Sequence, residues 1–172
     1  MKTLLLISTL LFSLSVSADN FVTTFIDKYV EDKRPVNNVN IGKTMLNEMA
    51  ENATDEELKN MFEDLNSIRI ITTEKKRDSR YYFKKANQLI KEAYSDYEEV
   101  VSVNERKSKT HVIMKKLDDE TENLILISLD DKDKLTILSV SGKVDFKSLA
   151  KLSKSLKDEK EMTEDEQPEA ED

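Results

Sequence analysis

His111 is the only imidazole in the chain, and there is no cysteine. Without a second His or a Cys there is no nitrogen or sulfur cluster for zinc, and no His-activated serine follows from the spacing of the residues. His111 sits in a run that reads as a strand, with Ile113 on the same face and Lys109 beyond, and the ordinary reading is a strand histidine. Two acidic clusters invite a calcium test. Counting a loop from Asp131 puts Thr136 sixth and Gly142 twelfth, and counting from Asp118 puts Asn123 sixth and Leu129 twelfth, where an EF-hand needs Gly and Glu. Both clusters therefore read as hairpin turns, which Asp tolerates well.

Phosphate chemistry is equally constrained. Gly42 and Gly142 are the only glycines, whereas a backbone cradle for a nucleotide uses several so that the main chain can approach the ligand. No G-x-S-x-G, no complete S-x-x-K set and no H-E-x-x-H is present. Carboxylates are so abundant, 35 in all, that choosing two as acid and base would be arbitrary. The expectation is a protein that is not an enzyme, with no cofactor, no metal and no catalytic residue.

Basic residues form two local patches: Lys75, Lys76, Arg77 and Arg80 beside Tyr81 and Tyr82, and Arg106, Lys107 and Lys109 at a hairpin tip. Without an overall basic excess these read as solvated turns, and no nucleic acid is expected as a partner. Lys147, Lys151 and Lys154 read as the outer face of a helix.

These side chains must be positioned by elements that periodicity reveals. Phe21, Val22, Phe25, Ile26, Tyr29 and Val30 make one helical stripe, stopped by Pro35. Val36 to Ile41 alternates briefly, as an edge strand or an extended link, and Gly42 turns the chain. A short helix over Lys43 to Ala50 would point Met45, Leu46 and Met49 inward. Thr54 and Glu57 then form a capping-box pattern for a helix with Leu58, Met61, Phe62 and Leu65 on one face. Asn52-Ala53-Thr54 also matches a glycosylation acceptor, although the cap is the preferred reading.

Ser67 to Thr73 is β-branched and reads as a strand, and Ser79 as the cap of a helix with Tyr82, Phe83, Ala86, Leu89, Ile90 and Ala93 inward. Tyr97 to Val103 and Thr110 to Lys116 predict a first hairpin, and Leu124 to Leu129 with Leu135 to Val140 a second. Leu149, Leu152 and Leu156 predict a final helix after that hairpin. The fold class expected is α+β, a mainly antiparallel sheet of four to five strands with helices packed against it.

The chain opens with Lys2, an apolar run from Leu4 to Val16 and a small-residue end, which matches a signal peptide of residues 1–18 cleaved between Ala18 and Asp19. Asp19 stands where a lipoprotein would carry its lipidated Cys, so the mature protein is expected to be exported, periplasmic or secreted, and not lipid-anchored. No later run reaches the roughly 18 apolar residues of a spanning helix, so no membrane span is expected. Residues 157–172 carry nine carboxylates against two lysines and read as a disordered acidic tail, because too little apolar surface is available there to offset the entropy of ordering it. That leaves 19–156 as a single domain close to charge balance.

In the second hairpin apolar side chains point to both sheet faces. If all helices lay on one face, the other would expose Leu124, Leu126, Leu135 and Ile137 as a candidate interaction surface, for a protein or envelope component or for a homodimer. The competing expectation is that helices cover both faces. A small-ligand carrier, or an enzyme of unrecognised type, stands as the alternative to a non-catalytic interaction module.

Val39 to Met45, Asn66 to Ile71, Tyr97 to Val103, Leu124 to Ile127 and Val140 to Leu152, taken in that order, resemble the exported bacterial family DUF4252, a domain of unknown function seen chiefly in Bacteroidota. The resemblance spans about residues 20 to 156 and is most specific in Gly142-x-x-Asp145-Phe146, between the last strand and the last helix. It implies a cell-envelope role, and it brings no catalytic residues.

Overall fold

β-branched and alternating segments need partners for their backbone groups, and in this chain they find them in one sheet. The computed structural model describes residues 21–106, 108–119 and 121–144. The elements are α1 (Phe21–Tyr29), β1 (Asn37–Gly42), α2 (Lys43–Asn52), α3 (Glu56–Asp64), β2 (Leu65–Thr73), α4 (Lys76–Ala93), β3 (Glu98–Asn104), β4 (Lys109–Lys116), β5 (Glu122–Leu129) and β6 (Leu135–Gly142). The strands pair antiparallel throughout, in the order β1-β2-β6-β5-β4-β3.

The α+β class holds, but the sheet has six strands rather than four to five. The difference is Asn37–Gly42, which pairs along its whole length with β2, from Asn37 opposite Thr72 to Gly42 opposite Ser67. The expected final helix, the acidic tail and the signal peptide with its Ala18–Asp19 cleavage site lie outside the described residues.

Helix starts differ from the sequence reading in informative ways. The cap of α3 is Asp55 rather than Thr54: its carboxylate accepts from the backbone N–H of Glu57 and of Leu58, at 2.8 and 3.0 Å. Ser79 is not a cap either. The helix α4 begins at Lys76, Asp78 sits in its first turn where a negative charge is favoured, and the buried Ser79 hydroxyl donates to the Thr73 carbonyl at 2.9 Å. That bond ties the helix to the end of β2. On α2 the inward residues are Leu46 and Ala50, while Met45 is 52% exposed. On α4 Ala93 is exposed as well.

The sheet has helices on both faces. One face carries Ile71, Ile113, Ile125, Ile127, Leu129, Leu135 and Ile137 against α1 and α4. The rings of Phe21, Phe25, Tyr82 and Tyr94 meet edge-on there, with centroids 5.1 Å apart for Phe21 and Tyr94 and 5.7 Å for Phe25 and Tyr82. The Tyr82 hydroxyl donates to the Arg34 carbonyl at 2.7 Å and accepts from the Glu31 N–H at 3.3 Å, fastening the loop after α1; burial pushes its ionisation up. The opposite face gathers Ile68, Val112, Leu124 and Val140 with Leu46, Met61 and Phe62 of α2 and α3. These two helices pack at the β1–β2 side of the sheet.

The strand β3 is an edge, exposed along its whole length, and a bulge between Glu99 and Val101 leaves Val100 without an opposite residue on β4.

Candidate functional site

The helix α4 is amphipathic, and its solvent side is cationic. With Tyr82, Ala86, Leu89 and Ile90 buried against the sheet, Arg80, Lys84 and Lys91 fall along the opposite flank at i, i+4 and i+11. At the same end of the sheet lie the tips of both hairpins, because Lys109 of β4 pairs with Leu129 of β5 and Leu129 pairs with Leu135 of β6. The β3–β4 tip contributes Arg106 and Lys109. The β5–β6 turn contributes Asp133.

Helix and tips enclose an open cleft of about 780 Å³. Its walls hold the five cations Arg80, Lys84, Lys91, Arg106 and Lys109, and Phe83 and Leu129 give it an apolar floor. Asn87 and Gln88 add amide groups. The one carboxylate on the lining is Asp133.

The turn that carries Asp133 is built by Asp130, whose side chain accepts from the backbone N–H of Lys132 and of Lys134 at 3.0 and 2.8 Å. The turn holds Asp133 at φ 62°, a left-handed conformation that Asp tolerates better than most residues. Its carboxylate then takes Arg80 at 2.7 Å and Lys76 at 3.0 Å. These two cations, Arg80 first, hold it below the usual carboxylate range. In this turn Asp130 serves the turn's own backbone and Asp133 its cations. No group of three or more His, Cys, Asp or Glu able to hold a metal occurs among the described residues.

Lys84, Lys91, Arg106 and Lys109 make no ion pair among the described residues. Like charges gathered over an apolar floor repel one another until an anion arrives, and low-dielectric walls focus that field. Arg supplies a planar fork that matches carboxylate or phosphate, and Lys a mobile point charge. The cleft is thus equipped to hold anionic groups. Beside it His111 is fixed, Nδ1 to the Asn87 amide oxygen at 3.0 Å and Nε2 to the Glu99 carboxylate at 2.9 Å, so its ring serves to join α4, β4 and β3. It faces the same side as Ile113, as the strand reading requires.

The four side chains expected to form an interaction surface are not brought together. Leu124 pairs with Val140 and Leu126 with Leu138, whereas Ile137 pairs with Ile127 and Leu135 with Leu129. Directly opposite residues share a face, so Leu124 and Leu126 lie on the α2–α3 side, and Leu135 and Ile137 on the α1–α4 side. Leu124, Leu135 and Ile137 are buried, and Leu126 is half-buried.

The cleft was not visible as a site in the sequence. Its cations come from separate stretches, each too sparse to stand out, and the two patches noted there, around Arg80 and around Arg106, meet only through the sheet. The available sign was the spacing of Arg80, Lys84 and Lys91 opposite the apolar stripe of α4.

The model of one family, the domain of unknown function DUF4252, matches residues 29–152. No curated protein and no solved structure matches the chain.

Proposed function

The chain belongs to the DUF4252 family, and on that premise we propose that it is an exported, non-catalytic binding module of the bacterial cell envelope whose cleft receives an anionic part of its partner. The observation that carries this reading is the convergence of five cations from α4 and the β3–β4 tip on one open cleft, four of them with no ion pair among the described residues. The leader-like residues 1–18 support export, and no helix among the described residues is long and apolar enough to cross a membrane. Catalysis is not part of the proposal: the cleft presents cations and amides, and its single carboxylate is held by Arg80 and Lys76. Association through a sheet face is not carried forward, since the four residues that suggested it are split between the two faces.

The test is binding of a fluorescent hexaglutamate peptide at low salt. The native chain is expected to bind, with an affinity that falls as salt rises, and Arg106→Glu with Lys109→Glu is expected to weaken binding at least tenfold while circular dichroism stays unchanged. Equal binding by the charge-reversed variant would overturn the proposal. The size of the cleft, within the range of small-molecule sites, supports a second reading as a carrier of a small anion. Competition by inorganic phosphate at micromolar concentration would favour the carrier.

A further inference from the structure

The charge of the cleft has its complement in the same chain. Residues 157–172 carry nine carboxylates and only two lysines, Lys157 and Lys160. We propose that the acidic run Asp158–Asp172 occupies the cleft between α4 and the hairpin tips, and competes there with external anionic ligands, so that the site is capped by its own chain. This rests on the anion-binding reading given above and adds its regulation.

Three observations support the match. The first is extent. Arg80 and Lys91 are eleven residues apart on α4, roughly 16 Å at 1.5 Å per residue, a length that suits about five residues of extended chain at roughly 3.3 Å each. The cations Arg106 and Lys109 lie on the facing wall, so such a segment would have positive charge on both sides.

The second is composition. The floor of the cleft is apolar, formed by Phe83 and Leu129 with charge around it, and the acidic run contains Met162 set between Glu161 and Glu164. A thioether side chain adapts to an irregular apolar floor while its acidic neighbours reach the walls.

The third is reach. The described chain ends at Val144, just beyond β6, and the β5–β6 turn with Asp133 lies at the other end of that strand. Eight strand residues span roughly 26 Å, whereas the twenty-eight residue steps from Val144 to Asp172 amount to about 42 Å even at the helical rise of 1.5 Å per residue. Because the run is covalently joined to the cleft, its binding is intramolecular and does not depend on protein concentration.

The experiment uses the full chain in two forms, native and with the tail neutralised by Asp158→Asn, Glu159→Gln and the corresponding amides at the other seven carboxylates. Each is tested with and without Arg106→Glu and Lys109→Glu. Affinity for the hexaglutamate peptide is measured at low salt, and zero-length carbodiimide coupling of the native chain is mapped by mass spectrometry. Neutralising the tail is expected to tighten peptide binding about tenfold in the native cleft and by less than twofold in the reversed one. Coupling is expected to join carboxylates of 158–172 to Lys84, Lys91 or Lys109. Equal affinity of native and neutralised chains, with no such crosslink, would overturn self-capping while leaving the anion site standing. Failure of the peptide to bind even the neutralised chain would overturn the anion-site reading, and self-capping with it.

Discussion

The two faces of the sheet are both apolar, yet they are not alike. On the α1–α4 face the residues of the middle strands, Ile71, Ile137, Ile127 and Ile113, are all buried beneath two helices and an aromatic layer. On the other face one row, Ile68, Val140 and Leu124, is buried, while the next row runs from Val39, 49% exposed, through the half-buried Ile70, Leu138 and Leu126 to Val112 and then Val101, 40% exposed. The described helices of that face sit mainly over β1 and β2. The lesson is that an apolar run on both sides of a strand does not show equal cover: one face is a closed core, and the other grades from core to surface within a single row of side chains.

The contrast is sharpest under charge. Ile137→Asp places an unpaired carboxylate in the closed core, and a loss above about 4 kcal/mol is expected, read as failure to fold or a large drop in urea midpoint. Leu126→Asp, on the graded face, is expected to cost about 1–3 kcal/mol and to leave a folded protein. Equal losses would erase the distinction between the faces.

The join on the graded face gives the next largest effect. Gly142 has φ 138°, and a Cβ there would stand 2.5 Å from the Asp64 carbonyl oxygen and 2.7 Å from Leu65 Cα, backbone atoms that cannot swing away. Lys143 N–H also bonds to that carbonyl at 2.9 Å. Gly142→Ala is therefore expected to cost about 3 kcal/mol or more in denaturant melts. The other glycine is the control. Gly42 has nothing within 4 Å of its absent side chain, so Gly42→Ala is expected to stay within about 1 kcal/mol.

The smallest effect concerns charge outside both cores. Asp133 has its folded carboxyl held below the ordinary value by Arg80 and then Lys76, so its contribution is present above the unfolded value of about 3.9 and is lost as pH falls through the folded one. Asp133→Asn removes that dependence. Thermal melts are expected to show the native chain ahead of the variant near neutral pH and the gap closing below about pH 4; a gap that does not change with pH would mean that the carboxylate contributes through the turn geometry and not through charge.

Much of the frame was legible in the residues. The stripe Tyr82, Ala86, Leu89 and Ile90 gave α4 its inner face, and two alternating pairs of runs gave the hairpins, since periodicity is a local property. What escaped was what depends on pairing. The β5–β6 loop of five residues, 130–134, sets Leu129 opposite Leu135 and so keeps even-numbered residues with even-numbered ones across the hairpin; grouping Leu124 and Leu126 with Leu135 and Ile137 missed that parity. The neighbour of β6 on its other side is β2, more than sixty residues earlier, and no local pattern announces such a contact. The cleft was hidden for the same reason, because Arg106 and Lys84 become neighbours only after β3 and β4 have joined the sheet beneath α4.

The bulge in β3 bears on what happens when many copies of this protein crowd together. An edge strand offers free N–H and C=O groups as a template for another strand, and β3 adds the exposed side chains of Val101 and Val103. The extra Val100 interrupts the regular spacing that a docking strand would need, and Glu98 and Glu99 set negative charge where two such edges would meet. The irregularity works against strand addition at this edge, one of the sheet's two.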